Sequence, residues 1–307
     1  MLKYFYYVTV MMFLLAMTGC GSSTEDEKEQ ARLRKAEAFR NDSLAFKVAT
    51  LPTLDCMPIY VAQELGLFES QGVDVKVMHF NAQMDCDQAL LNNQVECAVS
   101  DVMRAERMRT KNSRVSYVTS TGAYWQLIAN RKARIKEIRQ LGDKMVAMTR
   151  FSATDYLVNV ALDSVNPGNP VFRIQVNDVV VRLKMLQTNA MDAMMLTEPQ
   201  ATAARRAGHP VLLDSRDKGM RLGVIVTTVK ANDDYRQKQL RAFVKAYDMA
   251  CDSLNAHGLT HYSDLIKTKC LTDDGTVSAL PKMRFEHVAQ PRPSDLARTN
   301  NVRWRTN

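Results

Sequence analysis

From residue 46 onward, short apolar runs alternate with stretches in which apolar residues recur every three or four positions. The runs at 46–51, 73–80, 95–100, 116–121, 125–130, 144–149, 173–176, 193–196, 211–213 and 223–228 have the length and composition of strands. Helical spacing fills the gaps at 59–70, 85–92, 102–109, 154–164, 179–188 and 200–207. Strands this short and this continuously apolar, separated by amphipathic helices, argue for parallel sheets covered on both faces.

Several helix starts carry their own capping chemistry. Thr154 precedes an apolar face of Leu157, Val160 and Ala161, and Asp155 suits the positive end of the helix dipole. Asn177 and Asp178 open the helix that carries Val179, Leu183 and Leu186. The longest helix is expected over 233–256, with Leu240, Phe243, Tyr247, Ala250 and Leu254 on one face and Gly258 closing it. No internal repeat is visible.

The first twenty residues have a different pattern. Lys3 precedes an apolar run at 8–15, and Met17-Thr18-Gly19 leads into Cys20, the layout of an export signal. The run is well short of the ~20 residues a membrane-spanning helix needs. A small residue followed at once by cysteine resembles the bacterial lipobox, which implies a signal peptide over 1–19 and lipidation of Cys20. Since each buried methylene adds roughly 0.8 kcal/mol, several acyl chains on one cysteine make a firm anchor. Residues 20–45 are polar and charged, with too few apolar positions to join a core, and are read as a tether able to form a transient helix.

Composition narrows the class. Apolar residues at 46% and charged residues at 24% are ordinary globular values, which excludes extensive disorder beyond the tether. A formal charge of +8 favours anionic partners, but the lysines and arginines are scattered and no nucleic-acid-binding motif accompanies them, so no nucleic-acid partner is expected. Besides Cys20 the chain has Cys56, Cys86, Cys97, Cys251 and Cys270, none at the paired spacing of a metal site. An odd count leaves at least one free thiol; Cys97 reads as a buried strand residue, and the pairing of the others stays open.

Four segments in order resemble one family. FKVATLPTLDCMPIYVAQELGLF from residue 46 has its opening strand, ligand-touching loop and helix ending in GLFE. ALLNNQVECAVS from residue 89 is similar to its helix-turn-strand, with Asn93-Gln94 where Gly-Gln is usual. IKEIRQLGDKMVAMTRFSATDY from residue 135 and AMDAMMLTEPQATAARRAG from residue 190 complete the set, with Gln140 and Asp143 as departures. The family is the type II periplasmic solute-binding proteins of ABC importers, in the aliphatic sulfonate, nitrate and thiamine-precursor group. The resemblance implies an α/β fold of two Rossmann-like lobes with mixed sheets, joined by a two-strand hinge. Lobe 1 would take 46–128 plus 224–307, and lobe 2 would take 129–223. It also implies a monomer that works without cofactor, metal or catalytic residues. Such a protein would bind a small-molecule ligand and an ABC transporter permease from the extracytoplasmic side of the cell envelope, with the lipid anchor holding it to the membrane.

In such folds ligands sit beyond the carboxyl ends of parallel strands, against helix N-termini. That rule places Thr53, Asp55 and Cys56 after the first strand, Asn81 after the second, and Ser100 and Asp101 at the third. Tyr124 follows the fourth, Ser152 and Thr154 the first strand of lobe 2, and Glu198 a later one. Ser152 and Thr154 suit an anion through hydroxyls and free backbone N–H groups, or simply cap their own helix. Glu198 suits a ligand amino group or a hinge hydrogen bond. Of Tyr124 and Trp125, one is expected toward the cleft, with Tyr124 favoured. Met145, Met148, Met194 and Met195 read as core filler. An enzyme on this fold and a non-transporting anchored sensor are the competing functions.

Overall fold

The computed structural model describes residues 22–111, 114–300, 302 and 304. The expected signal peptide and Cys20 lie outside these residues. It divides into two units, residues 1–45 and 46–307. In the first, α1 (Ser22–Leu44) is one helix of 23 residues. A polar stretch expected as a spacer is therefore a defined helix, about 35 Å long at 1.5 Å per residue. Its Glu, Lys, Arg and Ala content has high helix propensity, and Leu33 remains 59% exposed.

The second unit contains two mixed five-stranded sheets. The first holds β1 (Phe46–Thr50), β2 (Val75–His79), β3 (Cys97–Asp101), β4 (Ser116–Ser120) and β10 (Gly223–Thr227), in the order β2-β1-β3-β10-β4. The second holds β5 (Gln126–Ala129), β6 (Met145–Met148), β7 (Phe172–Gln175), β8 (Ala193–Leu196) and β9 (Val211–Asp214), in the order β7-β6-β8-β5-β9. Parallel and antiparallel pairing are balanced: β1 runs parallel to β2 and β3, and β6 to β7 and β8, whereas β10 runs antiparallel to β3 and β4, and β5 to β8 and β9. Strands β3, β5, β8 and β10 are buried throughout, which is why they lack the polar alternation of a half-exposed strand and carry polar residues only at their ends, at Ser100, Asp101, Gln126 and Thr227.

The antiparallel strands flank the crossings between lobes. The chain passes from lobe 1 to lobe 2 through 121–125 and returns through 215–222. The expected border at 128 falls inside β5, which pairs wholly with lobe 2. The crossings are tied side by side: Trp125 N–H donates to Ser215 Oγ at 3.0 Å and Ser215 N–H to the Trp125 carbonyl at 3.0 Å. Gly223 sits where they meet. A Cβ there would lie 2.3 Å from Thr121 Oγ1 and 2.6 Å from Ala123 Cβ, so only glycine fits.

In lobe 1, α2 (Met57–Glu64) and α3 (Leu67–Ser70) replace the single helix expected over 59–70. Gly66, at φ +62°, breaks it between them. Helices α4 (Gln83–Leu91) and α5 (Val102–Lys111) lie on the side of lobe 1 that meets lobe 2. In lobe 2, α6 (Ala153–Val165), α7 (Val179–Gln187) and α8 (Gln200–Arg206) cover the sheet. The long α9 (Asp234–His257) returns to lobe 1, where Phe243 lies 5.6 Å from both Phe46 and Phe68, ring centre to ring centre. Of the four methionines expected as filler, Met148, Met194 and Met195 are buried, whereas Met145 begins an outer part of β6 and is 38% exposed. Cys56, Cys86, Cys97, Cys251 and Cys270 are all buried and free.

Candidate ligand-binding site

The carboxyl ends of β1 and β3 face those of β6 and β8, and in this structure the lobes touch. Leu54 N–H donates to the Glu198 carbonyl at 2.9 Å, Gln200 Nε2 to the Pro52 carbonyl at 2.8 Å, and Val179 N–H to the Asn81 carbonyl at 3.2 Å. On the far side, Arg206 Nη1 reaches Thr276 Oγ1 at 3.1 Å. The lobes are therefore closed on each other.

The candidate residues lie along this seam, but many of their polar atoms bond within the protein. Ser152 Oγ accepts from Thr154 N–H at 3.1 Å and meets Thr154 Oγ1 at 2.7 Å. Thr154 Oγ1 accepts from Thr149 N–H at 2.9 Å. These hydroxyls lock the end of β6 to the start of α6, which is the capping alternative. Asp155 adds a buried ion pair to Arg173, at 2.6 Å. Facing that helix start from lobe 1 is Asp101, fully buried. The Ala153 amide points at its carboxylate, Arg104 N–H donates to Oδ1 at 3.0 Å, and Oδ2 has no well-formed hydrogen bond. Burial pushes the Asp101 carboxyl upward despite these donors. An internal carboxylate thus faces the helix start that would be offered to an external anion.

Glu198, in a cis Glu-Pro pair, is likewise engaged. Its Oε1 accepts from Tyr124 Oη at 2.7 Å and from Arg205 Nη2 at 2.7 Å, and its Oε2 from Thr202 N–H at 2.9 Å. Arg216 lies over the Tyr124 ring, 3.8 Å from its centre, and holds Asp214 through Nη2 at 2.7 Å. Gln126 closes the network, donating to Asp214 at 2.6 Å and accepting from Arg205. Glu198 and Tyr124 therefore pin the hinge, the second of the two roles open to Glu198. Trp125 is 9% exposed and packs in the core beside it.

The remaining candidates divide. Asp55 is buried beside Thr53 and accepts from Thr121 Oγ1 at 3.3 Å; burial raises its carboxyl above the usual range. Cys56 Sγ turns into lobe 1 to accept from Leu51 N–H at 3.4 Å, and burial raises its thiol well above normal. Ser100 Oγ donates to Asp87 Oδ1 at 2.8 Å, also within lobe 1. Asn81 is exposed at the rim.

Sequence reading missed the charged part of the seam. A cavity of about 350 Å³ opens between α4 and α5 of lobe 1 and the loop after β6 of lobe 2. Arg104, Arg107, Lys111 and Arg150 border it with Phe151 and Asp87. Asp87 pairs with Arg104, and burial still pushes its carboxyl up to about 6. The signal was present in α5: Arg104, Arg107 and Lys111 at i, i+3 and i+7 share one face. Phe151, at φ +59° and stacked under Arg107 at 4.1 Å, carried no such signal. Among the described residues, no group of three or more His, Cys, Asp or Glu side chains is placed to hold a metal ion. Nor is any helix among them long and apolar enough to cross a membrane.

This geometry has relatives. The NMT1/THI5-like family model matches residues 53–258. No curated protein matches the sequence. The alkanesulfonate-binding protein SsuA of Xanthomonas axonopodis pv. citri, bound to MOPS, superposes with a TM-score of 0.67 at 12% identity, over 83% of this chain and 89% of that one. The ligand-binding component of an ABC-type import system from Staphylococcus aureus, with zinc bound, gives 0.68 at 14% identity, over 82% and 88%. The periplasmic nitrate-binding protein NrtA of Synechocystis gives 0.59 at 16% identity, over 77% and 67%. At these identities the likeness is one of fold.

Proposed function

Because this chain belongs to the NMT1/THI5-like family, we propose that it is the substrate-binding component of an ABC importer, a non-catalytic receptor that captures a small organic solute between its lobes. The observation that carries the reading is the pair of sheets whose strand ends face one another across two short crossings, the arrangement that hinge closure requires. The likeness to binding proteins for alkanesulfonate and nitrate supports it. So does the charge of the seam, which combines buried carboxylates at Asp55 and Asp101 with a basic cavity.

The solute class we propose is sulfonate- or taurine-like, or aminopyrimidine-like as in a thiamine precursor. Both kinds offer what the seam can receive, a donor for a buried carboxylate or an anionic group for the arginines. The export-type leader and Cys20 support an extracytoplasmic, lipid-anchored location, with a permease as partner.

A thermal-shift screen over alkanesulfonates, taurine, nitrate, aminopyrimidines and thiamine tests the reading, with small-angle scattering on each hit. A ligand at 100 times its Kd adds about 2.7 kcal/mol, so a true ligand raises Tm visibly. The expected result is a hit that also favours the compact, closed form. If no compound in the screen stabilises the protein, this solute class falls; if a hit is turned over, or binds without favouring the compact form, the receptor reading fails.

A further inference from the structure

The basic cavity is built by both lobes. Arg104, Arg107 and Lys111 project from α5 of lobe 1, and Arg150 comes from the loop after β6 of lobe 2. Asp87 is the single carboxylate among its lining residues, and Arg104 already holds it. Three cations are left without a lining counter-charge. Like charges repel, so gathering these groups along a closing seam is unfavourable unless an anion enters. Meanwhile the helix start that would take a singly charged anion is faced by Asp101.

We propose that this cavity receives the anionic end of the captured solute, and that this end carries two negative charges, as a phosphomonoester does. The inference rests on the receptor reading and narrows it, ranking a dianionic solute above the singly charged sulfonates. Arginine forks and a lysine match a phosphoryl group's several acceptor oxygens, and a dianion offsets most of the unmatched charge. The cavity's roughly 350 Å³ accommodates a phosphoryl group with a small ring or short chain. Because Arg150 stands across the seam from the α5 cations, such a ligand bridges the lobes and favours closure.

Phenyl phosphate and benzenesulfonate make a matched pair of probes, since they share a ring and differ in charge at pH 8, above the second phosphate pKa of about 6. Titration calorimetry on the purified full chain is expected to show phenyl phosphate binding at least about tenfold more tightly, with a steep loss of affinity as salt rises. Arg150→Gln and, separately, Lys111→Gln are each expected to weaken phenyl phosphate about five- to twentyfold while changing benzenesulfonate binding by less than about threefold. Two variants on different lobes guard against a folding defect in one. Equal affinity for the two probes, insensitivity to both variants, or no binding of either probe overturns the dianion assignment. If benzenesulfonate wins and compacts the protein, the receptor reading stands and this inference falls. If phenyl phosphate wins, with the expected sensitivity, but scattering shows no closure, the anion site stands and the receptor reading falls.

Discussion

Asp87 illustrates how burial and pairing compete at one carboxylate. It accepts from Ser100 and holds Arg104, yet removal from water dominates and its pKa rises to about 6. The proton is therefore held more tightly by the folded than by the unfolded chain. Stability from this group is present below pH 4 and is lost as pH rises through about 6. Asp55 and Asp101 are shifted in the same direction and add to the trend. Urea titrations at pH 4, 5, 6 and 7 should show stability falling with pH, and Asp87→Asn should flatten that slope whatever its effect on absolute stability. A slope unchanged in Asp87→Asn would assign it to the other two. Glu198 is a different case, with both oxygens engaged, by Tyr124 of the crossing and by Thr202 and Arg205 of its own lobe. Breaking a buried pair costs about 3–5 kcal/mol, and because the Arg205 side chain is 29% exposed the lower end applies to Glu198→Ala. Glu198→Ala is therefore expected to lower the urea midpoint sharply, and a change under about 0.5 kcal/mol would show the network to be ornamental.

Among the elements, α6 shows why a helix N-terminus cannot be assigned to a ligand from sequence alone. Ser and Thr before an apolar face look the same whether they cap or bind. Here Ser152 and Thr154 bond each other and Thr149, and a carboxylate from the opposite lobe faces Ala153. The β10 start is the complementary case. Gly223 has an ordinary place in a strand pattern, but the close approach of Thr121 and Ala123 makes it obligatory. Gly223→Ala is expected to cost about 1–3 kcal/mol by forcing the crossings apart, read as a loss of Tm. Scattering should also detect a larger open population. Helix α9 needs no function to explain it, since Phe243 fills the space between Phe46 and Phe68. Phe243→Ala should cost about 3–5 kcal/mol by the ordinary cavity mechanism, measured by chemical denaturation.

For the molecule as a whole, closure balances the bonds across the seam against the charge it gathers. Leu54, Gln200 and Val179 supply the bonds, and the cations around the 350 Å³ cavity supply the repulsion. Raising salt without ligand should therefore favour the compact form, because screening weakens the repulsion more than the short hydrogen bonds. A scattering series from 20 mM to 1 M salt checks this at order-of-magnitude steps, and expansion on adding salt would contradict it.

The sequence by itself determined the order of strands and helices, because apolar period and glycine placement are local properties of the chain. All ten strands lie where the pattern puts them, within a residue or two. The resemblance supplied the two-lobe plan and the mixed sheets that periodicity could not, since alternating elements look alike whichever way a strand runs. Tertiary structure alone decided which end of the 125–130 run joins which lobe, and whether Glu198 and Thr154 spend their oxygens inside the protein. It also decided that α5 faces Arg150. Those outcomes depend on which groups meet across a cleft, and partners distant in sequence leave no local trace: Asp101, the carboxylate that stands where an anion would, and Ala153, whose amide it faces, are 52 residues apart.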